Sequence, residues 1–507
     1  MGFDFTSKER RALGLRLMRR IDQYFSSLEQ RSVQPPAAER NAEHQPQPIP
    51  ELGSDAAVVL DDLCRQMIDK GFHIPSANYF GLMNPTPTYM AVLAEALVAA
   101  LNPQLASLAR SQFASALEAE TLGWIASRFG WQKSSGAAPA QSRHNIPCEG
   151  TFTSGGNEAN FTAMALALAH HFPHAIEDGV ASIGARPVLY ASSESHHSLV
   201  KSAGLLGLGR KALRRVPVNR KLQLDTARLI LQIEADYVAG FLPFCIVATA
   251  GTTSSGAIDD LTALAAIAER YGLWLHVDGA YGAALAFSDR HRAMLHGIDR
   301  ADSITIDPHK WLSMPFAAGV VLTRHSELLE KVFSVASPYM PRAAEGSLVD
   351  NFKISAQWSR RMNSLKLWLT LRVHGRRAYA EMIERQMQMA TVMRQWFEHS
   401  EHFSMAAPQT LPILNFRLKG LEGMSVADCD ALHQEFLDEF NRDGHYWISR
   451  THAGGESVLR MMIISYLSTE EHLAGLQQAL VKAAERVQMM AAKRMSAAAT
   501  ENTVALR

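Results

Sequence analysis

The residue best placed for covalent chemistry is Lys310, in the run Asp307-Pro308-His309-Lys310-Trp311. A lone lysine is usually a solvated surface group. This one follows an apolar run, Ser303-Ile304-Thr305-Ile306, and stands between an imidazole and an indole. Such surroundings favour the neutral amine that adds to a carbonyl and forms a Schiff base. Asp278, in His276-Val277-Asp278-Gly279-Ala280, ends a second apolar run. An Asp there can cap the following helix, or it can pair with a protonated ring nitrogen and keep a cofactor ring electron-withdrawing. Ala280 is small enough to leave room for a flat ring. The third element is Thr153-Ser154-Gly155-Gly156-Asn157-Glu158-Ala159-Asn160, which precedes the helical run FTAMALALAHHF. Two glycines let the backbone approach an anion, and the free N–H groups of a helix start donate to it. By itself such a turn also serves as a plain helix cap.

These residues need a scaffold, and the apolar pattern supplies one. Short runs (Val188-Leu189-Tyr190, Phe244 to Ala248, Leu273 to Val277, Ser303 to Ile306, Gly319 to Leu322) alternate with longer helical stretches. Strands that are apolar throughout and separated by helices imply a mainly parallel sheet covered on both faces. Ligands then bind beyond the carboxyl ends of the strands. Polar or glycine-rich segments do follow these runs directly: Ser192 to Ser198, Thr249 to Thr253, Asp278 to Tyr281 and Asp307 to Lys310. Before the sheet, Thr6 or Ser7 can cap a helix with Leu13, Leu17, Ile21, Tyr24, Phe25 and Leu28 at helical spacing. Ser32 to Pro50 reads as an extended connector, and two further helices are expected from about residue 85 and around Leu117 to Phe129. The spacing divides the chain into an N-terminal helical arm and connector (1–95), a large domain (96–374) and a small C-terminal α+β domain (375–507). The last contains short strands at Ile413 to Phe416 and Val458 to Ile464.

At 507 residues, 47% hydrophobic and 20% charged, the chain has ample material for more than one core. Fifty basic side chains balance fifty acidic ones, so no global field gathers nucleic acid or an anionic membrane. The four cysteines form no C-x-x-C pair, which argues against a metal cage or disulfide framework. No secretory apolar run opens the sequence, and the expectation is a reduced, cytoplasmic protein without membrane partners.

Taken in order, SGGNEAN, SESHHS, ATAGTT, HVDGAYG, DPHKW and SLKLW resemble the group II pyridoxal-5′-phosphate (PLP) dependent amino-acid decarboxylases, over roughly residues 70 to 470. The resemblance implies the PLP-dependent transferase-like fold (fold type I) and carboxy-lyase activity on a small-molecule amino acid. It implies that Lys310 carries PLP as a Schiff base, that Asp278 pairs with the pyridine nitrogen and that Ala280 lies beneath the ring. His197 would stack on the ring; counting back from Ala203-Gly204-Leu205 favours it over its neighbour His196. Thr249 would lie near the ring hydroxyl, Gly156 and Asn157 at the phosphate, and His309 near phosphate and substrate. Asp307 departs from the pattern, since some members have an Asn there that touches the phosphate, and an acidic group beside a dianion is repelled. Gly279 stands in place of a more usual Ala.

The resemblance also implies a loop tyrosine that returns a proton to Cα, and Tyr339, between Ala336 and Asn351, aligns with it. Tyr79, Phe80 and Leu82 match the pocket-lining segment and could form an apolar wall. Gly81 replaces the Asn that acidic-substrate members tend to carry, which favours an aromatic or apolar substrate over glutamate, aspartate or cysteine sulfinate. An aldehyde synthase or lyase on the same scaffold is the other reading. Members are homodimers with shared active sites, and the opening helix suits an arm that crosses to a partner.

Overall fold

A computed structural model describes residues 3–35, 46, 48–133, 146–335, 349–421 and 424–505, with no side-chain description for 132–133, 146–147 and 490–505. Two of the sequence expectations, most of the connector and Tyr339, lie outside the described residues.

The central element is an eight-stranded sheet. Its strands are β1 (Trp131–Lys133), β2 (Ile146–Thr153), β3 (Pro187–Ser192), β4 (Leu213–Val216), β5 (Leu242–Thr249), β6 (Trp274–Asp278), β7 (Ser303–Ile306) and β8 (Gly319–Thr323), in the order β1-β2-β8-β7-β6-β5-β3-β4. β8 runs antiparallel to both β2 and β7, and the other pairs are parallel. The strands expected from the apolar runs are β3, β5, β6, β7 and β8. Every residue of β3, β6, β7 and β8 is buried, as a sheet covered on both faces requires.

The helix Gly156–His171 is buried almost all round, with Ala159, Ala163, Met164, Leu166 and Ala167 at or near zero exposure. A helix apolar on every side has to lie inside the protein. It brings its N-terminus to the carboxyl ends of β6 and β7. The opening helix Ser7–Ser27 starts as the sequence predicts: Thr6 Oγ1 accepts from Glu9 N–H (3.3 Å) and Glu9 Oε2 accepts from Thr6 N–H (2.7 Å), a reciprocal capping box.

A smaller antiparallel sheet contains β9 (Phe403–Met405), β10 (Ile413–Leu418), β11 (Ser449–Ala453) and β12 (Glu456–Met462), in the order β11-β12-β10-β9. The long helix Ser364–His399 that leads into it is interrupted at Gly375, whose φ of 72° suits glycine. Strand alternation then sorts the side chains. Leu414, Phe416, Leu459 and Met461 pack with the helices Val426–Phe440 and Glu470–Ala505, whereas Ile413 and Met462 join the core of the large sheet. Asn415, Arg460 and Ser449, in register with one another, share the face turned towards the large sheet.

Candidate active site

After β2, Ser154 and Gly155 turn the chain into the helix Gly156–His171. Glu158 Oε2 accepts from the Ser154 N–H (2.8 Å) and hydroxyl (2.6 Å) and fixes the turn. The glycines here leave no room for a side chain. A Cβ on Gly155 would lie 3.0 Å from His309 Cε1, one on Gly319 would lie 2.5 Å from Gly155 Cα, and one on Gly156 would lie 2.7 Å from Asp307 Oδ2 and 3.3 Å from Ala280 Cβ. The turn, Ala280, Asp307 and His309 therefore meet at one spot. Asn157 is exposed in the first helical turn. Gly279 also has a reason: a Cβ there would fall 2.6 Å from Ala283 Cβ, so the Ala seen in other members would collide.

Lys310 follows β7, with Nζ 3.4 Å from Asp307 Oδ2. Trp311 does not flank the amine; it is fully buried, stacks on Tyr281 (4.8 Å between centroids, 17° between planes) and donates to Gln386 Oε1 at 2.6 Å. The indole thus braces the lysine turn from the core side. His309 Nδ1 accepts the Ala318 N–H at 3.0 Å, which leaves the ring proton on Nε2, 3.5 Å from Asp307 Oδ2. Burial first, then the charges of Lys310 and Lys366, push the His309 imidazole down to about 3, so it is neutral at working pH. Lys366, of the SLKLW run, is the support behind it. Its buried ammonium pairs with Glu95 Oε1 (2.7 Å) and donates to the Pro315 and Ala317 carbonyls (3.1 and 2.6 Å), just before the amide that fixes His309.

Asp278 ends β6, in register with Thr249 on β5 and Thr305 on β7. Its Oδ2 accepts from Asn160 Nδ2 at 2.8 Å, and Oδ1 accepts the Ala280 N–H at 3.2 Å. Asn160 Oδ1 lies 3.0 Å from His276 Nε2, and His276 Nδ1 lies 2.8 Å from Ser303 Oγ, which itself accepts from Trp274 Nε1 at 2.9 Å. With the Asn160 amide oriented by the Asp278 carboxylate, the donors run in one direction. Trp274 donates to Ser303, Ser303 to His276, His276 to Asn160, and Asn160 to the Asp278 carboxylate. Burial holds His276 down at about 4, consistent with a neutral ring. Asn160 and His276 escaped the sequence reading because each looks like the interior of a helix or strand.

Thr249 is buried at the end of β5, its backbone N–H given to Asp259 (2.7 Å) and its hydroxyl left without a partner. His197, expected at the ring, has Arg215 as a neighbour. As the residue that opens the helix Ser198–Leu205 it already has helical backbone angles, and its Nδ1 lies 3.3 Å from Arg215 Nη2 on β4. The neighbour His196 lies within electrostatic reach of Asp278, Lys310 and Asp307. Its imidazole is lowered first by desolvation, with Asp278, Lys310, His197 and Asp307 as further influences. Its Nδ1 accepts the Ser198 N–H at 3.2 Å, leaving Nε2 free.

The residues expected to form a pocket wall go to different places. Phe80 is fully buried in the small domain's own core, where its N–H bonds the Trp447 carbonyl at 2.9 Å. Leu82 is 40% exposed. Tyr79 is buried and stacks on Trp447 (5.5 Å, 8°), with Phe72 edge-on to both. A Cβ on Gly81 would fall 1.8 Å from Trp447 Cζ3, so the indole occupies the space that a side chain at 81 would take. Arg460 lies electrostatically close to Tyr79, buried on β12, donating to Ser449 Oγ (3.0 Å) and the Thr253 carbonyl (2.8 Å). These partners are neutral, and burial lowers the guanidinium to about 10. Neither Trp447 nor Arg460 was singled out from sequence, because each is remote along the chain from the motifs it joins.

The residues fit the cofactor. A glycine cradle without Cβ atoms lies at a helix N-terminus, an amine and a donor-held carboxylate belong to the neighbouring strand ends, a small residue lies against the cradle, and a buried hydroxyl lacks a partner.

Comparison with known proteins agrees. The chain is 30% identical to an aromatic-L-amino-acid decarboxylase of Bacillus atrophaeus over 443 residues, 87% of this chain and 88% of that one. It is 30% identical to an L-2,4-diaminobutyrate decarboxylase of Acinetobacter baumannii over 78% of each. The crystal structure of Oryza sativa TDC with PLP and tryptamine superposes with a TM-score of 0.86 at 25% identity, covering 96% of this chain and 99% of that chain. Residues 36–419 match the pyridoxal-dependent decarboxylase conserved domain, and with the motif order and the glycine cradle this shows that the chain belongs to the pyridoxal-dependent decarboxylase family.

Proposed function

We propose that this decarboxylase acts on an L-amino acid with an aromatic or apolar side chain. The observation that carries the reading is the indole of Trp447, stacked on Tyr79 and filling the place over Gly81. A flat apolar wall rewards an aromatic side chain and offers no partner to a carboxylate or ammonium. Bound PLP supplies the electron sink for the pair released when the bond from Cα to the carboxylate breaks. Lys310 would hold it, Asp278 would keep its ring nitrogen protonated, and Ala280, His196, Thr249, Gly156, Asn157 and His309 would supply the remaining contacts to ring, hydroxyl and phosphate. Arg460, a buried cation with neutral partners, pairs with the substrate carboxylate and orients it. Tyr339 returns the proton to Cα. A second copy of the chain covers the arm, whose helix Ser7–Ser27 buries none of its residues and leaves Leu15 and Leu17 exposed, as are Val59 and Leu63 on the helix Ala56–Asp69 that packs with it.

The test is CO₂ release from the PLP-loaded protein with L-tryptophan, L-tyrosine, L-phenylalanine, L-glutamate, L-cysteine sulfinate and L-2,4-diaminobutyrate supplied one at a time. The aromatic acids should react fastest. Trp447→Ala should then lower their kcat/KM about tenfold, the worth of one aromatic contact. Faster release from glutamate or diaminobutyrate would end the aromatic reading.

The two adjacent histidines give a second check. His196→Ala should lower CO₂ release by about 10²-fold, as for loss of a group positioned at the reacting centre. His197→Ala, which removes only the Arg215 contact, should change it by about threefold or less. The reverse order would restore His197 to the ring.

A further inference from the structure

Asp307 is where this chain departs from the family pattern, and its surroundings explain what the departure does. The carboxyl is 2% exposed. A Cβ on Gly156 would lie 2.7 Å from its Oδ2, so the carboxyl sits against the helix start that, on the function proposed above, receives the cofactor phosphate. Oδ2 faces Lys310 Nζ at 3.4 Å and His309 Nε2 at 3.5 Å, while Oδ1 is buried without any partner. The other charged or titratable groups turned towards it are Asp278, from the end of β6, and His196, from the loop after β3.

We propose that Asp307 makes cofactor capture proton-linked: the carboxyl takes up one proton from solvent when a phosphate dianion settles on the Gly155–Gly156 turn. Two anions cannot share one helix start and one dry pocket at low cost, and the carboxyl is the member that can neutralise. Oδ1, which has no donor to lose, is the atom that accepts the proton. An Asn here, as some members carry, has no proton to gain.

The sign follows from linkage. A group whose pKa is higher in the complex than in the free protein strengthens binding at low pH and loses that contribution as pH rises above its free value. Burial already raises the free Asp307 carboxyl to about 6. The dissociation constant should therefore climb about tenfold per pH unit above that point until the complexed carboxyl itself ionises.

The probe is pyridoxamine 5′-phosphate, an amine that forms no Schiff base with Lys310, titrated calorimetrically into the full-length cofactor-free protein. The window is about pH 7 to about 8.5, where the phosphate is already dianionic. The unaltered protein should lose affinity about tenfold more per pH unit than Asp307→Asn. On the unaltered protein alone, pyridoxamine without its phosphate should not show this extra slope, a comparison that needs no variant. Parallel slopes in either comparison overturn the proton linkage. Should Asp307→Asn bind the probe as the unaltered protein does at every pH, the phosphate is not beside residue 307, and the placement of the cup fails with it.

Discussion

Lys310→Ala abolishes covalent cofactor attachment and lowers CO₂ release by on the order of 10⁴-fold or more, the scale seen when a covalent catalyst is removed. The structure makes this expectation specific to one amine. Lys310 is the lysine that lies next to the glycine cradle, 3.4 Å from Asp307 and on the turn braced by Trp311. Lys366, the other buried lysine nearby, is already held by Glu95 and two carbonyls. Borohydride reduction of the PLP-loaded protein followed by peptide mass spectrometry should place the label on residue 310 and nowhere else. In the alanine variant the label should vanish while PLP is still retained without a covalent bond, because Gly156, Asp278 and Thr249 are untouched. Label on Lys366, or undiminished CO₂ release from the variant, would contradict the placement of the whole site.

That lysine was legible in the sequence because strand ends are. An apolar run followed at once by polar residues locates the carboxyl edge of a covered sheet, and Thr249, Asp278 and Lys310 all lie at that edge. What the sequence concealed is of three kinds. Direction was one: Gly319 to Leu322 reads as a buried strand whether it runs up or down, and β8 proves antiparallel to both neighbours. A shift of one residue was another. Counting along the chain favoured His197, but the helix beginning at Ser198 sets that ring beside Arg215, while His196 lies within electrostatic reach of Asp278 and Lys310. The third is convergence of distant segments. Phe80 and Tyr79 are adjacent aromatics, yet only the fold sends one into the small-domain core and stacks the other on Trp447. In the same way Arg460 meets the loop after β5 only because β12 is laid against it.

Asn160→Leu should be the most costly single change near the ring-nitrogen carboxylate, although Asn160 itself touches no cofactor atom. In one amide it receives the His276 Nε2 proton (3.0 Å) and donates to Asp278 Oδ2 (2.8 Å) and Ser198 Oγ (3.2 Å), all buried. Leucine is of similar size but supplies none of these. It leaves the His276 N–H orphaned and removes a donor from a buried carboxylate, each worth about 1–3 kcal/mol, so about 2–6 kcal/mol of stability is lost. Moving the ring proton to Nδ1, which lies 3.2 Å from the Ser303 carbonyl oxygen, relieves only the His276 part of this loss and leaves the Asp278 part. Chemical denaturation of the cofactor-free variant measures the first effect. The second is a change in the absorbance of bound PLP, since an Asp278 carboxylate free to rotate no longer holds the ring nitrogen's proton in place, and a mere loss of packing would not alter that spectrum. Asn160→Gln, which keeps an amide at a longer reach, should recover part of the spectrum but not all of the stability. If Asn160→Leu unfolds at the same denaturant concentration and binds PLP with an unchanged spectrum, the four-bond chain from Trp274 to Asp278 does no positioning, and the orientation of Asp278 must come from the Ala280 amide alone.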